Sequence, residues 1–544
     1  ALWASARCGK GCRGAVPARS DVERWTTRLA AALLTGVVLR MLWFVAWQGD
    51  DAYITHRTAT NVLTGHGLTW NPAERVQAFT HPLWLGVSVL GHLLTGEAYY
   101  SVLALSAVLV GISGVLLVRA APQAATGLAV AALASASAAV VDWGVSGLEN
   151  PLMYVILLLF VPLCGPTWDR SVGRLAGLLL GMLALTRPDA PLIVLPLCLL
   201  KAWDQPRVLV PALVTGLLPL LAWEGFSLVY YGSLVPNTAW AKLNVDIPAL
   251  ELATQGLRYL ADSAHRDPLT VVMPLMAAIL VLTRGQRGDR ALMLGLGLYL
   301  VYVVRIGGDF MALRFVAAPT VLAAGLVARH APDLPRLPLL IGVVAVGLVS
   351  PGSRWLAQGV YGEGVDPAEI VGNHGIADER AWYSPETGLA SVAPQHAALV
   401  AAGVPIPPNV GARAGAADRE AGRPFAARQD VGYYAYFGGP GIHVVDLWAL
   451  ADPFLARIPY RPSAGWRVGH YPRTVPPAYF RSVASGEASF ETDALNRAYA
   501  DVHAVVSGPL FSMDRAGAIW RLHTGAHRDA FENLASGEDA SPAL

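Results

Sequence analysis

Charge is what this chain of 544 residues has least of. Asp, Glu, Lys and Arg make up 15% of it, against 54% hydrophobic residues and a mean hydropathy of +0.44. So low a charged share excludes an ordinary soluble globular protein of this length and points to a polytopic membrane protein whose first partner is the lipid bilayer. A surplus of either sign is missing too: Lys+Arg 40 against Asp+Glu 39 leaves a net charge of +1, which gives no basis for binding nucleic acid. Cysteine is scarce. Cys8 and Cys12 lie in the N-terminal tail and Cys164 and Cys198 in apolar runs, so neither a disulfide framework nor a zinc site is implied. Walker, strand-linked GxGxxG and HExxH motifs are all absent, so nothing is built to bind ATP or a nucleotide sugar.

Long apolar runs are what the sequence does have. After a basic tail (1–28), Leu29 to Trp47 is too long for a signal-peptide core and reads as a retained first span. Further runs follow at about 101–118, 126–143, 151–164, 174–186, 190–203, 208–230, 269–283, 291–306, 315–329 and 337–350. Leu83 to Leu94 is shorter and reads as an interfacial or re-entrant helix. With the tail in the cytoplasm, the inner loops "VRAAPQAA", "GPTWDRSVGR", "KAWDQPR", "TRGQRGDR" and "ARHAPDLPR" each carry arginine, as short cytoplasmic loops should. Counting Leu83 to Leu94 as a span would reverse that pattern. The expected fold is therefore a mainly α, multi-pass plasma-membrane protein of about eleven spans over 29–350, with a first outer loop at 48–100. From Pro351 the composition turns to proline, glycine, aromatics and mixed charge, which predicts an α/β extracytoplasmic domain over 351–530 and a loose tail at 531–544. Strands are expected in "GIHVVDLWAL", "ADVHAVVSG" and "GAIWRLHT", and short helices in "PAEIVGNHG" and "QHAALVAAG".

On this topology the unusual polar residues gather on the outer face: Asp50, Asp51, His56, Arg57, Glu74, His81, Glu149, Asn150, Arg187, Asp189, Asn237, Lys242, Asp309 and Arg314. Acidic and basic groups at one membrane boundary suit an anionic, lipid-borne substrate. The carboxylates can act as base or hold a divalent cation, with Asp50 or Asp51 as its ligand, and the basic side chains can grip a phosphate. Each motif also has a plain structural explanation. One aspartate of "QGDDAYITHR" can cap the helix that follows, but two adjacent carboxylates repel unless a proton, metal or cation offsets them. "TRPDAP" can be a hairpin held by Arg187 and Asp189, and "YYGSLVPNTAWAKLN" an aromatic belt with a snorkelling lysine. His81 and His443 are lone histidines that polar contacts can satisfy.

The ordered series "GDDAYITHRTATNVLTGHGLTWNPAERVQAFTHPLW", "SGLENPL", "TRPDAP", "YYGSLVPNTAWAK" and "GGDFMALRF" resembles the GT-C glycosyltransferases, and within them the terminal beta-(1->2) arabinofuranosyltransferase family. "VGYYAYFGGPGIHVVDLWALADPFLARIP", "WRVGHYPRTVPPAY" and "VVSGPLFS" resemble that family's outer domain. The resemblance covers roughly residues 29 to 524. It implies a glycosyltransferase acting on the outer face, with a polyprenyl-phosphate sugar as donor, decaprenyl in type if the sugar is arabinofuranose, and a cell-envelope glycan as acceptor. Carried over by position, Asp50 and Asp51 match the acidic pair of the first outer loop and one of them is the expected catalytic carboxylate. Arg57, Arg187, Lys242 and Arg314 become candidates for the donor phosphate. Glu149 and Asp309 become candidates for sugar or acceptor hydroxyls; the outer-face residues His56, His81, Asp189 and Asn237 are candidates for the same role, His56 and His81 being departures from the family's pattern. A transporter or flippase of lipid-linked sugars is the reading from another class, but the charges stand at one face and no internal repeat is present.

Overall fold

The computed structural model describes residues 21–332, 336–372, 374–463 and 465–536. Cys8, Cys12, most of the basic tail and the end of the C-terminal tail lie outside the described residues. The chain is mainly helical and gathers into two compact units, each discontinuous in sequence. The first combines Ala1–Gly49, Val102–Leu220 and Leu252–Pro394; the second combines Asp50–Ser101, Leu221–Glu251 and Gln395–Leu544. They do not follow a single cut at Pro351. Residues 351–394 cluster with the first unit, and the first outer loop clusters with the C-terminal segment.

In the first unit the helix Arg314–His330 is central. It packs on Leu269–Arg284, Asn150–Phe160, Ala138–Gly144 and Ala124–Ser135, and is buried along most of its length. Its alanines and Gly325 allow this, since a Cβ on Gly325 would come 2.8 Å from Leu158 Cδ2. The helices Arg170–Thr186 and Pro206–Gly216 touch backbone to backbone in the same way: a Cβ on Gly177 would stand 2.3 Å from the Leu213 carbonyl oxygen, and one on Gly216 2.2 Å from that of Arg174. Close approach through small residues is how helices associate in lipid, where burial of apolar surface no longer drives packing. Leu275, Ile279, Leu282, Leu294 and Val301 of the same unit point outward and are more than half exposed, as lipid-facing residues would be.

Eleven separate spans are not reached by length and composition. Among the described residues, Tyr99–Ala120 is the one helix long and apolar enough to cross a membrane by itself, or up to five crossings result if each bent helix pair is one span. The apolar runs are cut short. That at 126–143, for example, becomes Ala124–Ser135 and Ala138–Gly144, bent by 77° where Ser137 caps the second helix through the Val140 N–H. The segment beginning at Leu83 forms the helix Pro82–Thr95 of 14 residues, below the roughly 20 needed to cross. Cys164 and Cys198 are free and buried.

The second unit holds a two-stranded parallel sheet, β1 (Phe425–Arg428) and β2 (His443–Asp446), in the register Phe425 to His443 through Arg428 to Asp446. Parallel neighbours need a crossover, and the helix Gly432–Gly438 supplies it. Of the expected strands, that in "GIHVVDLWAL" forms. Those in "ADVHAVVSG" and "GAIWRLHT" do not: they lie on the helices Asp493–Ser507 and Met513–His523, capped by Thr492 and Ser512. Residues 495, 498, 499, 502, 505 and 506 turn inward on the first of these, which is helical spacing over a window longer than the string that looked alternating. The domain expected to be α/β is thus helical with one small sheet. Both short helices expected from sequence are present, as Pro367–Val371 and His396–Ala401. An aromatic cluster forms the core of the unit: Phe454 stacks on Tyr479 and Phe490 and meets Tyr499 and Phe531 edge-on.

Candidate active site

The predicted site residues divide between the units. Asp50, Asp51, His56, Arg57, His81, Asn237 and Lys242 belong to the second; Glu149, Arg187, Asp189, Asp309 and Arg314 belong to the first.

In the second unit both aspartates stand in the first turn of the helix Asp50–Leu63. Asp50 does more than favour its own helix dipole. Its Oδ2 accepts the Gly432 N–H at 2.7 Å and its Oδ1 the Tyr433 N–H at 2.8 Å, so the carboxylate holds the start of the helix Gly432–Gly438. Glycine is required there, because a Cβ at 432 would lie 1.9 Å from the Asp50 carbonyl oxygen. Burial pushes the Asp50 carboxyl up to about 7 against the pull of those two N–H groups, with the charges of Asp430 and Asp51 adding to the rise. Asp430 is itself raised, first by burial and then by Asp51, while Arg467 opposes. His470 continues the series: burial and then the charges of Arg467 and Lys242 push it down to about 3, and its ring meets Trp448 edge-on at 4.9 Å. Asp51 and Asp430 thus bear on Asp50, and the cations Arg467 and Lys242 on His470. Sequence reasoning missed Asp430, Arg467 and His470. The last two sit in "WRVGHY", a string carried by the resemblance without a role for its side chains.

Two predicted binding residues of this unit, Arg57 and Asn237, brace backbone, and two others, His56 and His81, meet neighbouring side chains. Arg57 is buried and gives Nε to the Trp70 carbonyl at 2.8 Å, Nη1 to those of Ala435 and Gly439, and Nη2 to that of Ile442 at 2.9 Å, with Trp70 beneath the guanidinium. A guanidinium that donates to four carbonyls holds chain in this unit. Asn237 likewise gives Nδ2 to the carbonyls of Ala449, Leu450 and Asp452 at 3.0 to 3.1 Å. His56 is buried among Tyr53, His92 and Tyr436, and burial keeps it neutral. His81 Nε2 lies 2.7 Å from the Thr55 hydroxyl.

A second acidic group includes Asp446, the last residue of β2. Asp452 accepts from Phe454 N, Leu455 N and the Tyr479 hydroxyl, and Asp446 from Trp448 N and Ala451 N. Burial raises Asp446, Asp452 and Glu74 each to about 7, with Glu74 adding to the rise of Asp452. Elsewhere in the unit a cleft of about 580 Å³ is lined by Trp240, Asn244, Asp246, Arg457, Phe531 and Glu532 among others. Acidic and basic side chains balance across it, and Arg461 bridges Asp246 and Glu532 at 3.2 and 2.8 Å.

The first unit brings together three motifs that lie up to 165 positions apart. Glu149 Oε1 stands between two guanidiniums, 3.3 Å from Arg187 Nη1 and 3.2 Å from Arg314 Nη2. Arg187 also forms a two-point pair with Asp189 at 3.0 and 2.8 Å, and Asp189 accepts from the Tyr299 hydroxyl. Asp309 Oδ2 is 3.8 Å from Arg314 Nη1. Phe315 lies under Arg187 and Trp143 under Arg314, at 4.4 and 5.7 Å. The backbone of "GGDFMALRF" turns sharply to deliver this, with positive φ at Gly307, Gly308 and Leu313, the last an uncommon geometry for leucine. Among the described residues no group of three or more His, Cys, Asp or Glu is placed to hold a metal ion.

No family model matches the sequence. The chain is 30% identical over 434 residues to the terminal beta-(1->2)-arabinofuranosyltransferase of Mycobacterium tuberculosis (strain ATCC 25618 / H37Rv), covering 68% of this chain and 67% of that one. It is 26% identical over 423 residues to the protein of the same name from Corynebacterium glutamicum, covering 66% of this chain and 58% of the relative. Its fold is similar to that of ArnT from Cupriavidus metallidurans, solved with bound undecaprenyl phosphate, with a TM-score of 0.51 and 14% identity over 77% of this chain and 85% of that one. The likeness to ArnT is one of fold.

Proposed function

This chain belongs to the terminal beta-(1->2)-arabinofuranosyltransferase family, and on that premise we propose that it moves D-arabinofuranose from a polyprenyl-phosphate donor to a cell-envelope glycan on the outer face of the plasma membrane. Eleven crossings with the N-terminus in the cytoplasm, and a donor lipid of decaprenyl type, complete the reading. One observation carries it above the others: the adjacent aspartates of the first outer loop are fixed by Asp50's grip on Gly432 and Tyr433, beside Asp430.

In the reaction the bond from the sugar C1 to the phosphate oxygen breaks and its electron pair leaves with the polyprenyl phosphate. A bond from C1 to an acceptor hydroxyl oxygen forms, and the hydroxyl proton must be taken up. Asp50 holds backbone through both carboxylate oxygens, and we assign the uptake of the proton to its neighbour Asp51. Lys242 and Arg467 oppose the negative charge growing on the leaving phosphate. If donor and product are both beta, configuration is retained, and attack and departure share one face or pass through a glycosyl-carboxylate; the anomeric configuration of the product separates these from simple inversion. A glycan chain suits the cleft beside Trp240, whose flat indole and balanced polar rim match a neutral sugar better than a phosphate.

A second site for the donor phosphate has its own support. The Glu149 oxygen between Arg187 and Arg314 occupies the position a phosphate oxygen would take. Purified full-length protein given labelled decaprenyl-phosphate arabinose and an arabinan acceptor is expected to form product. Lys242→Ala and Arg467→Ala raise the donor KM if the phosphate docks in the second unit, whereas Arg187→Lys does so if it docks in the first. Movement of lipid-linked sugar across a vesicle with no glycan product would instead make the protein a transporter.

A further inference from the structure

The second unit carries an apolar surface that the proposed chemistry does not use. Phe511, Met513 and Trp520 are 88%, 85% and 72% exposed, all within ten positions. The helix Met513–His523 shows why they cannot turn inward. Arg515, Ala518, Ile519 and Leu522 already form its packed face, at i, i+3, i+4 and i+7. Met513, Ala516 and Trp520 make a separate stripe at i, i+3 and i+7 that faces out, where a helix on a soluble domain would carry polar groups.

The position of this helix within the unit is fixed at both ends. Arg515, 2% exposed, donates Nη1 to the Val229 carbonyl at 2.8 Å and Nη2 to that of Tyr230 at 3.0 Å. Those carbonyls are among the last four of the helix Leu218–Tyr230, which have no partner within their own helix. At the other end His523 Nε2 lies 2.8 Å from the Gly232 carbonyl. A Cβ on Gly232 would come 2.7 Å from Val505 Cγ1, so the chain passes with no room to shift. The helix Met513–His523 is therefore stapled to the exit of Leu218–Tyr230, whose Leu221, Phe226, Leu228 and Val229 are themselves exposed apolar residues. Phe226, Tyr230 and Tyr231 pack ring to ring at that exit, the pattern of a membrane boundary.

We infer that Phe511, Met513 and Trp520 are a lipid-contact patch: the helix Met513–His523 lies along the membrane surface, its outward stripe set among phospholipid headgroups and upper acyl chains. Continuity selects lipid as the occupant, because the patch extends the apolar surface of a helix that leaves the bilayer at that level. Arg521, which pairs with Asp501, and the largely exposed Arg528, which pairs with Glu532, border the stripe. The patch holds the second unit at a constant height above the membrane, which a lipid-borne substrate requires.

Oxidative footprinting of the unmodified full chain in phosphatidylethanolamine–phosphatidylglycerol nanodiscs tests this without any substitution. Met513 and Trp520 are expected to oxidise at least several-fold more slowly than their exposure would give. Oxidation at the rate of freely hydrated side chains overturns the proposal. A second measurement separates lipid from protein cover. A fluorophore at Met513→Cys should be quenched several-fold more by lipids spin-labelled near the headgroup than one at Glu487→Cys, an exposed position of the same unit. Equal quenching at the two positions, or shielding of Met513 only in native membranes and not in nanodiscs, would assign the patch to a protein partner and reject lipid.

Discussion

The two units differ in how several of their buried carboxylates are held, although Asp267 of the first rests on Ser137 and the Ala139 and Leu269 N–H groups and Asp501 of the second pairs with Arg521 and His527. In the first, carboxylates meet guanidiniums: Glu149 is shared by Arg187 and Arg314, Asp142 by Arg354 and Arg380, and Asp289 pairs with Arg329. In the second, Asp50, Asp446 and Asp452 are held by backbone N–H groups and, at Asp452, by a tyrosine hydroxyl, with no cation in the pair. An ion pair fixes both charges and suits a frame. A carboxyl buried without a cation is pushed up by burial, to about 7 for Asp50, Asp446 and Asp452, against the pull of the N–H groups that hold it. The first arrangement is insensitive to pH near neutrality; the second makes stability depend on it.

The largest effect that would sharpen this contrast is on turnover. Asp51→Asn should lower kcat by on the order of 10²–10⁴-fold with folding intact, as measured by labelled-sugar transfer and thermal unfolding of the same sample. In the first unit the loss should fall on stability. Glu149→Ala leaves two buried guanidiniums short of their shared partner and should cost about 3–5 kcal/mol, read as a drop in Tm. Gly432→Ala drives a Cβ into the Asp50 carbonyl and should cost about 1–3 kcal/mol while also lowering transfer, which links the anchor to the site.

The response to pH divides the units next. A carboxyl whose folded value lies above its ordinary one is protonated more fully in the folded than in the unfolded chain. For Asp50, Glu74, Asp446 and Asp452 this holds between roughly pH 4 and 7, so folding takes up protons there and stability falls as pH rises through that window. Asp452→Asn should flatten the fall in Tm, whereas Glu149→Gln should lower Tm at every pH. Smallest is the cleft. Trp240→Ala should raise the acceptor KM about fivefold, roughly 1 kcal/mol, and leave the donor KM unchanged.

Much of the frame was legible from sequence because it rests on local pattern. Apolar runs, arginine-bearing loops and the change of composition at Pro351 identify a membrane protein with a further polar segment. Their limits are also physical. The run at 126–143 looks continuous in composition, but Ser137 starts a new helix there, and capping is invisible to an apolar count. "ADVHAVVSG" alternates over a window too short to reveal the helical spacing of Asp493–Ser507. In the site, side-chain type indicated chemistry but not partners. Arg57 and Arg187 are both arginines near acidic motifs, yet one meets four carbonyls and the other two carboxylates, and residues far away in sequence decide which. Asp430 and Arg467 escaped notice for the same reason, since only the fold of the second unit brings both Asp51 and Arg467 to bear on Asp430.

The account stands on the assignment of separate tasks to two adjacent aspartates. Single-turnover transfer from decaprenyl-phosphate arabinose tests it most directly, run from pH 5 to pH 9 on wild type, Asp50→Asn and Asp51→Asn, each shown to be folded. Asp51→Asn should lose transfer at every pH, and Asp50→Asn should keep a measurable rate with its dependence near pH 7 altered. Full-rate transfer by Asp51→Asn would contradict the account.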